Sequence, residues 1–489
     1  MQFKKVVAAV SGAVFLMAGQ LALADSTNDL VDALVSKGVL TEEEGKLLTK
    51  GHKGEMDGVA KKEKSYAKGT MNFRGYMQLR NTPIMGGDKG VNLWSDRSVG
   101  DDTSLNDQDK NFLIRRMRLI FYGDVGDRLY YYIQPDLASS IGGTTNSNAS
   151  GAGSFAQLRD AYGDVHLTKN KVHRIRVGQS KVPYGYENLQ SSQNRLALDR
   201  VDALNSAVRD ERDLGAFYYY TPENVQALFK EIQDAGLKHS GNYGLFGFGV
   251  YNGQGANARD QNDNLHVVAR VSYPWKTDSG QIYEMGIQGY HGEYVPTTGN
   301  YNRYGGGSTD SSSLSTSGTK IFTGSQSGSG TATWRPGVSV SNGIADERVG
   351  VSFRMYPQPF GLEGEWNWGK TPGLDRETNI ISEKNLNGGY VQASYKIDNF
   401  KFFETNGTLL PFIKWQYFDG YNKAETNAPR NQVNDWEYGL EWQIAPEVEL
   451  VAVYQRMHRN NLVTGNTNNR QDYERFQANA LRMQLQYNW

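Results

Sequence analysis

From Met71 to the last residue, apolar and polar side chains alternate with a period of two. The final segment shows the pattern most cleanly. Leu481, Met483, Leu485, Tyr487 and Trp489 alternate there with Arg482, Gln484, Gln486 and Asn488. Successive side chains of a strand point to opposite faces, so this segment has one apolar, aromatic face and one polar, charged face. The same rule sets Met117, Leu119 and Phe121 against Arg116, Arg118 and Tyr122. It sets Leu265, Val267, Ala269 and Val271 against His266, Arg270 and Ser272, and Val349, Val351, Phe353 and Met355 against Ser352, Arg354 and Tyr356. Ile413, Trp415 and Tyr417 alternate with Lys414 and Gln416, and Tyr438, Leu440 and Trp442 with Glu437, Glu441 and Gln443.

A soluble sandwich would bury its apolar faces in a shared core. A charged second face repeated along many long segments fits a wall with lipid outside and water inside. About sixteen such segments can be counted, an even number as bacterial barrels prefer. The seventh is expected to begin near Gly241. Their connections alternate in length. Those at 123–128, 169–172, 358–360 and 445–446 are tight, whereas those at 81–111, 139–156, 184–213, 292–346 and 458–472 are long. The predicted fold is therefore all-β, a transmembrane antiparallel β-barrel with short periplasmic turns, long external loops and both mature termini in the periplasm. One connection breaks the rhythm. Residues 221–240 fall where a short turn belongs, and 225–233 within them fit either a short strand or a helix.

The first residues follow a different pattern. Lys4 and Lys5 precede an apolar stretch over 6–18, and Ala22, Leu23 and Ala24 fit the small-residue cleavage rule of a secretory signal peptide. Cleavage is expected after Ala24. No later stretch approaches the ~18 consecutive apolar residues of a transmembrane helix. Leu30, Val31, Leu34 and Val35 share one face of a short predicted helix that Gly38 ends. Thr41 and Glu44 form a capping box that opens a second. Residues 51–69 are rich in Lys and Gly and read as a linker. The expected organisation is a signal peptide over 1–24, a periplasmic helical segment and linker over 25–70, and an outer-membrane barrel over 71–489.

Composition narrows the chemistry. The 489 residues carry 52 Lys and Arg against 53 Asp and Glu, which argues against nucleic-acid binding by bulk charge. Aromatics at 12% exclude a disordered chain, and 55 glycines beside 29 tyrosines disfavour a helical bundle. The absence of cysteine excludes a disulfide scaffold, a thiolate metal site and a cysteine nucleophile. The seven histidines form no zinc motif, and neither a nucleophile elbow nor a phosphate loop occurs. Asp107, Asp109 and Asn111, and likewise Asp260, Asn262 and Asn264, have the opening spacing of a calcium loop but not its later Gly and Glu. No cofactor, metal or catalytic activity is expected. The Gly/Ser/Thr-rich stretch 308–333 reads as a flexible external loop.

Function should then lie on the polar face. Arg74, Arg80, Arg116, Arg118, Arg174, Arg176, Arg270, Arg354, Lys414 and Arg482 share its phase, as do Asp136, Asp160, Glu363, Glu365, Glu437 and Glu441. The bases concentrate in early strands and the acids in late ones, which would place a transverse field across the lumen. The alternative is a generic polar wall around water.

Several runs carry a family resemblance. They are Arg115, Arg116, Met117, Arg118 and Leu119, the stretch 176–185 (RVGQSKVPYG), Arg212, Asp213, Leu214 and Gly215, the stretch 250–255 (VYNGQG), and the stretch 411–420 (PFIKWQYFDG). Together they resemble the phosphate-selective porins of the O and P type over most of 71–489. The resemblance implies a sixteen-stranded barrel in the outer membrane of a diderm bacterium, usually a homotrimer, with the third long loop folded inward. That loop would be 184–213, where Arg195, Arg200, Arg209 and Arg212 stand among Glu187, Asp199, Asp202, Asp210, Glu211 and Asp213. Phosphate-selective members line the pore with arginines and lysines. The set expected here is Arg74, Arg116, Arg118, Arg174, Arg176, Lys181, Arg270, Arg354 and Lys414. The mixed charge of the loop departs from that pattern, so the expectation is passive diffusion of small hydrophilic solutes with a modest preference for anions such as phosphate. The alternative function is a barrel that sheaths or supports a partner, or serves in adhesion. Trp489 resembles the aromatic terminal signal read by the barrel assembly machinery, usually Phe.

Overall fold

The computed structural model describes residues 31–50, 69–88, 91, 93, 112–138, 156–297, 322–323, 343–375, 380–425, 428–462 and 473–489. The signal segment, most of the linker, the Asp107–Asn111 motif and all of the 308–333 stretch except 322–323 lie outside them. The chain divides into two compact units, Met1–Gly69 and Thr70–Trp489.

In the first unit, helices cover 31–36 and 42–50. The capping box forms as its sequence demands. The Thr41 N–H donates to the Glu44 carboxylate at 2.9 Å, and the Glu44 N–H donates to the Thr41 hydroxyl at 3.3 Å.

The second unit is a closed antiparallel wall of sixteen strands. The first eight are β1 (Asn72–Asn81), β2 (Phe112–Val125), β3 (Leu129–Asp136), β4 (Gln157–His166), β5 (His173–Lys181), β6 (Arg212–Tyr220), β7 (Phe246–Tyr251) and β8 (His266–Lys276). The rest are β9 (Ile282–Tyr294), β10 (Ile344–Met355), β11 (Phe360–Asp375), β12 (Ile380–Tyr395), β13 (Thr405–Tyr421), β14 (Arg430–Ala445), β15 (Val448–Leu462) and β16 (Tyr473–Asn488). A short strand, Ile397–Phe402, continues β12 into its hairpin with β13. Each wall strand pairs with the next, and β1 closes on β16 with Tyr76 opposite Asn488 and Asn81 opposite Met483. Closure satisfies every ladder and leaves no edge in lipid.

Facing follows the alternation. Val351 and Leu440 keep 43% and 42% of their surface on the outside, whereas Arg354 and Glu441 on the lumen side keep 3% and 0%. The strand count matches the sequence expectation, but β7 begins at Phe246 rather than near Gly241. Gly241 and Gly244 have φ of 99° and 79°, a left-handed conformation that no strand continues, so 241–244 leaves the wall and Leu245 rejoins it by bonds to Tyr220 and Ser272. The anomalous connection also resolves. It holds a helix, Glu223–Asp234, whose Val225, Phe229 and Ile232 recur at helical spacing and pack with Leu237, Ile282 and Tyr356.

One irregularity matters for the lumen. Gln78 stands opposite Arg116, but Leu79 stands opposite Ile114, so Arg115 is the extra residue of a β-bulge. The bulge brings Arg115 beside Arg116 at the lumen side, within 3.8 Å of Asp199, although period two alone would place it outside.

The last residue completes the closure. The N–H of Gly75 donates to the Trp489 carbonyl at 2.9 Å, and the N–H of Trp489 returns a bond to the Gly75 carbonyl at 3.0 Å. A Cβ at position 75 would lie 2.6 Å from the Trp489 indole, so only glycine leaves that ring its place. Deleting 486–489 removes the partners of Tyr76, Met77 and Gln78 in the closing ladder. Heat-modifiability on gels should then be lost and outer-membrane material degraded. Normal heat-modifiable barrels after the deletion would contradict this closure.

Candidate functional site: the lumen and its inward loop

The connection between β5 and β6, residues 182–211, folds inward and is buried over most of its length. Apolar contacts seat it. Leu196, Ala197 and Leu198 pack on Leu410, Phe412, Val451 and Val453. Val201, Ala203 and Leu204 pack on Leu386, Tyr390, Phe418 and Val433. These wall residues belong to the lumen phase of β12–β15, so those strands are apolar on both faces where the loop docks. Each fully buried Val or Leu contributes about 1.5–3 kcal/mol, enough to hold a loop against its lost entropy.

Polar ties then fix its position around the wall. Arg348 of β10 donates to the Ala203 carbonyl at 2.9 Å and to the Ser206 hydroxyl and carbonyl at 3.0 and 2.9 Å. Glu365 of β11 accepts the N–H groups of Tyr186 and Glu187 at 2.7 and 3.1 Å. Lys414 of β13 pairs with Glu187. Arg459 of β15 pairs with Asp202 and Asp435, both at 2.6 Å. On the remaining side, Arg80, Arg116 and Arg115 approach Asp199 at 2.7, 3.3 and 3.8 Å, and Arg482 joins them. Burial alone would raise the Asp199 carboxyl. Arg80, Arg482, Arg115 and Arg116 outweigh it and hold that carboxyl well below its ordinary range.

The predicted lining residues separate into groups. Arg116 and Arg118 meet the inward loop. Arg116 also donates to Gln78 at 2.8 Å, and Arg118 binds Asp136 at 2.8 Å, the Tyr76 hydroxyl at 2.9 Å and the Ser192 hydroxyl at 3.3 Å. Arg174 and Arg176 lie elsewhere. They share Asp164, at 3.6 and 2.7 Å, and sit over the rings of Tyr219 and Tyr162. Lys181 donates to the Leu189 and Gln190 carbonyls of the loop at 3.0 and 2.7 Å. Arg270 faces Glu284 at 3.4 Å, and Arg354 pairs with Glu363 and lies over the Tyr186 ring. Arg74 lies 5.8 Å from the centroid of Tyr122.

Within the loop, Arg200 pairs with Glu211, and Arg209 packs against Gly255, whereas Arg212, expected in the loop, is the first residue of β6 and binds Asp160 at 2.9 Å. Arg195 differs. It is buried, and its Nε and Nη1 have no hydrogen-bond partner among the described residues. Burial pulls its guanidinium below the ordinary value, and Glu187 and Asp199 offset part of that.

This arrangement corrects the expectation of a transverse field. The early arginines are neutralised by early acids, Arg118 by Asp136, Arg176 by Asp164 and Arg212 by Asp160. Sequence reasoning missed Arg115, Arg348 and Arg459 as lumen residues and Asp199 as a hub. Arg348 was within reach, because the alternation of Val349, Val351 and Phe353 extends back to it. The bulge hid Arg115. Two motifs that seemed separate prove to be one contact. The Asp213 carboxylate accepts the N–H groups of Gly253 and Gly255, both at 2.9 Å, joining the stretches at 212–215 and 250–255.

The profile of the family described as phosphate-selective porin O and P matches residues 89–489. No curated protein sequence gives a significant match. Among solved structures, the anion-selective porin from Comamonas acidovorans is 12% identical, with 86% of this chain and 100% of that one covered and a TM-score of 0.44. OmpF of Salmonella typhi in complex with daunomycin is 10% identical, with 86% and 98% covered and a TM-score of 0.48. The trimer form of in-vitro folded OmpT of Vibrio cholerae is 11% identical, with 86% and 99% covered and a TM-score of 0.44.

Proposed function

The chain belongs to the phosphate-selective porin O and P family, and from that premise we propose that this outer-membrane barrel passes small hydrophilic solutes by diffusion with a modest preference for anions. Arg195 carries the anion preference. It is a buried cation with two unpartnered donors beside the cluster at Asp199. Such donors cost free energy unless an acceptor arrives, and a guanidinium presents them in a fork that suits phosphate or carboxylate oxygens.

The preference is modest because charge is nearly balanced. Among the described buried residues there are seventeen Lys and Arg against fifteen Asp and Glu, which leaves a small positive excess. The polar groups guide solutes and catalyse nothing. A homotrimer set in outer-membrane lipid, folded by the barrel assembly machinery through the Trp489 terminus, completes the proposal on the strength of the family likeness.

Reversal potential in a KCl gradient across a planar bilayer tests it. Anion preference should appear, and Arg195→Gln or Arg116→Gln should reduce it. A clear cation preference in the unmodified protein would overturn the anion assignment. The tight seating of the inward loop favours one second reading, a barrel that is structurally closed and supports a partner. That reading predicts silent bilayers.

A further inference from the structure

The connection between β6 and β7 does not turn back to the wall after its helix. Residues 238–244 enter the lumen, and Lys238 shows where they go. Its ammonium lies 2.5 Å from Glu441 of β14 and 3.3 Å from Glu449 of β15. In a ring of sixteen, β14 stands eight strands from β6, on the opposite wall. Both carboxylates lie near the periplasmic ends of their strands, where β14 ends at Ala445 and β15 begins at Val448.

The Lys238 carbonyl meets the inward loop. It accepts from the Tyr186 hydroxyl at 3.1 Å, from the Gln190 amide at 3.2 Å, and from Arg354 of β10. Burial alone would lower the Lys238 ammonium, but Glu441 and Glu449 more than offset it and keep it charged. A polar cavity of about 870 Å³ opens beside this crossing, lined in part by Lys238, His239, Gln443 and Glu449.

We propose that 238–244 forms a second constriction, in series with the inward loop and on its periplasmic side, whose ion selectivity is set by Lys238 between Glu441 and Glu449. This deepens the porin reading and rests on it. Charge differs between the two levels. The outer one gathers four arginines around Asp199, whereas the inner one sets a single lysine between two acids. Groups in series each act on a passing ion. The inner level therefore opposes the anions that the outer level admits.

The chain contains no cysteine, so an introduced thiol is a unique target. His239→Cys in the full-length protein, inserted with known orientation, should react with sulfonatoethyl methanethiosulfonate from the periplasmic side faster than from the external side. The bound sulfonate should lower conductance at least about twofold by narrowing and charging a constriction. Lys238→Gln should shift the reversal potential toward cations, and Glu441→Gln toward anions. Current and reversal potential that ignore periplasmic modification at 239 would overturn the second constriction while leaving the porin reading intact. Silent bilayers from the unmodified protein would overturn both.

Discussion

Replacing Asp199 by Asn should free one side of the inward loop, raise single-channel conductance and increase anion preference. The carboxylate is buried, with Arg80 at 2.7 Å and Arg116 at 3.3 Å. Removing one partner from a buried ionic cluster costs about 3–5 kcal/mol, because the charges left behind are uncompensated. Here those charges are guanidiniums that repel one another, so the loop is expected to leave β1, β2 and β16. The wall itself should survive, since its ladders do not involve Asp199. The apolar seat of Leu196 and Leu198 on β13 and β15 should hold the rest of the loop.

The pH dependence has a definite sign. The folded carboxyl is depressed, so its stabilising contribution is fully present above the unfolded value of about 3.9 and is lost as pH falls through the folded value. This tie should therefore hold between pH 7 and pH 5 and weaken only in stronger acid. Unchanged conductance and selectivity in Asp199→Asn would remove Asp199 from any role in setting the pore.

The second large effect lies on the outer face. Leu119→Arg and Val351→Arg place a charge in lipid near the middle of β2 and β10, which should cost about 2–4 kcal/mol each. Ser352→Ala, one position along and on the lumen side, should cost far less. Denaturant titration of refolding in lipid vesicles would show the contrast. Reversed sensitivities would mean that the facing of that strand is off by one residue. Arg118→Gln is not a neutral control, although the alternation alone suggests it. It would leave Asp136 buried without its partner at 2.8 Å.

The wall was legible in the sequence because a barrel repeats one rule on every strand. Period-two patterning settles which face of Val351 or Leu440 meets lipid without knowledge of any partner strand. The lumen was less legible because its contacts join residues far apart in the chain. Nothing near Asp199 indicates that it will meet Arg80, 119 positions away. Arg174 and Arg176 carry the same phase signal as Arg116 and Arg118, yet their neighbour Asp164 on β4 absorbs them. Phe412 and Phe418 fall on the lumen phase of β13 and help seat the inward loop, a contact that the alternation alone does not show. Residues 221–240 admitted a strand or a helix because a helix and a lumen crossing replace a short turn there, and the strand expected to begin near Gly241 starts only after that crossing.

Planar-bilayer recording of the purified protein tests most directly whether the lumen is a conducting path that the inward loop regulates. Steady, ohmic single-channel current with a modest anion preference in a KCl gradient is expected. Bilayers that stay silent after verified insertion of folded barrels would contradict it.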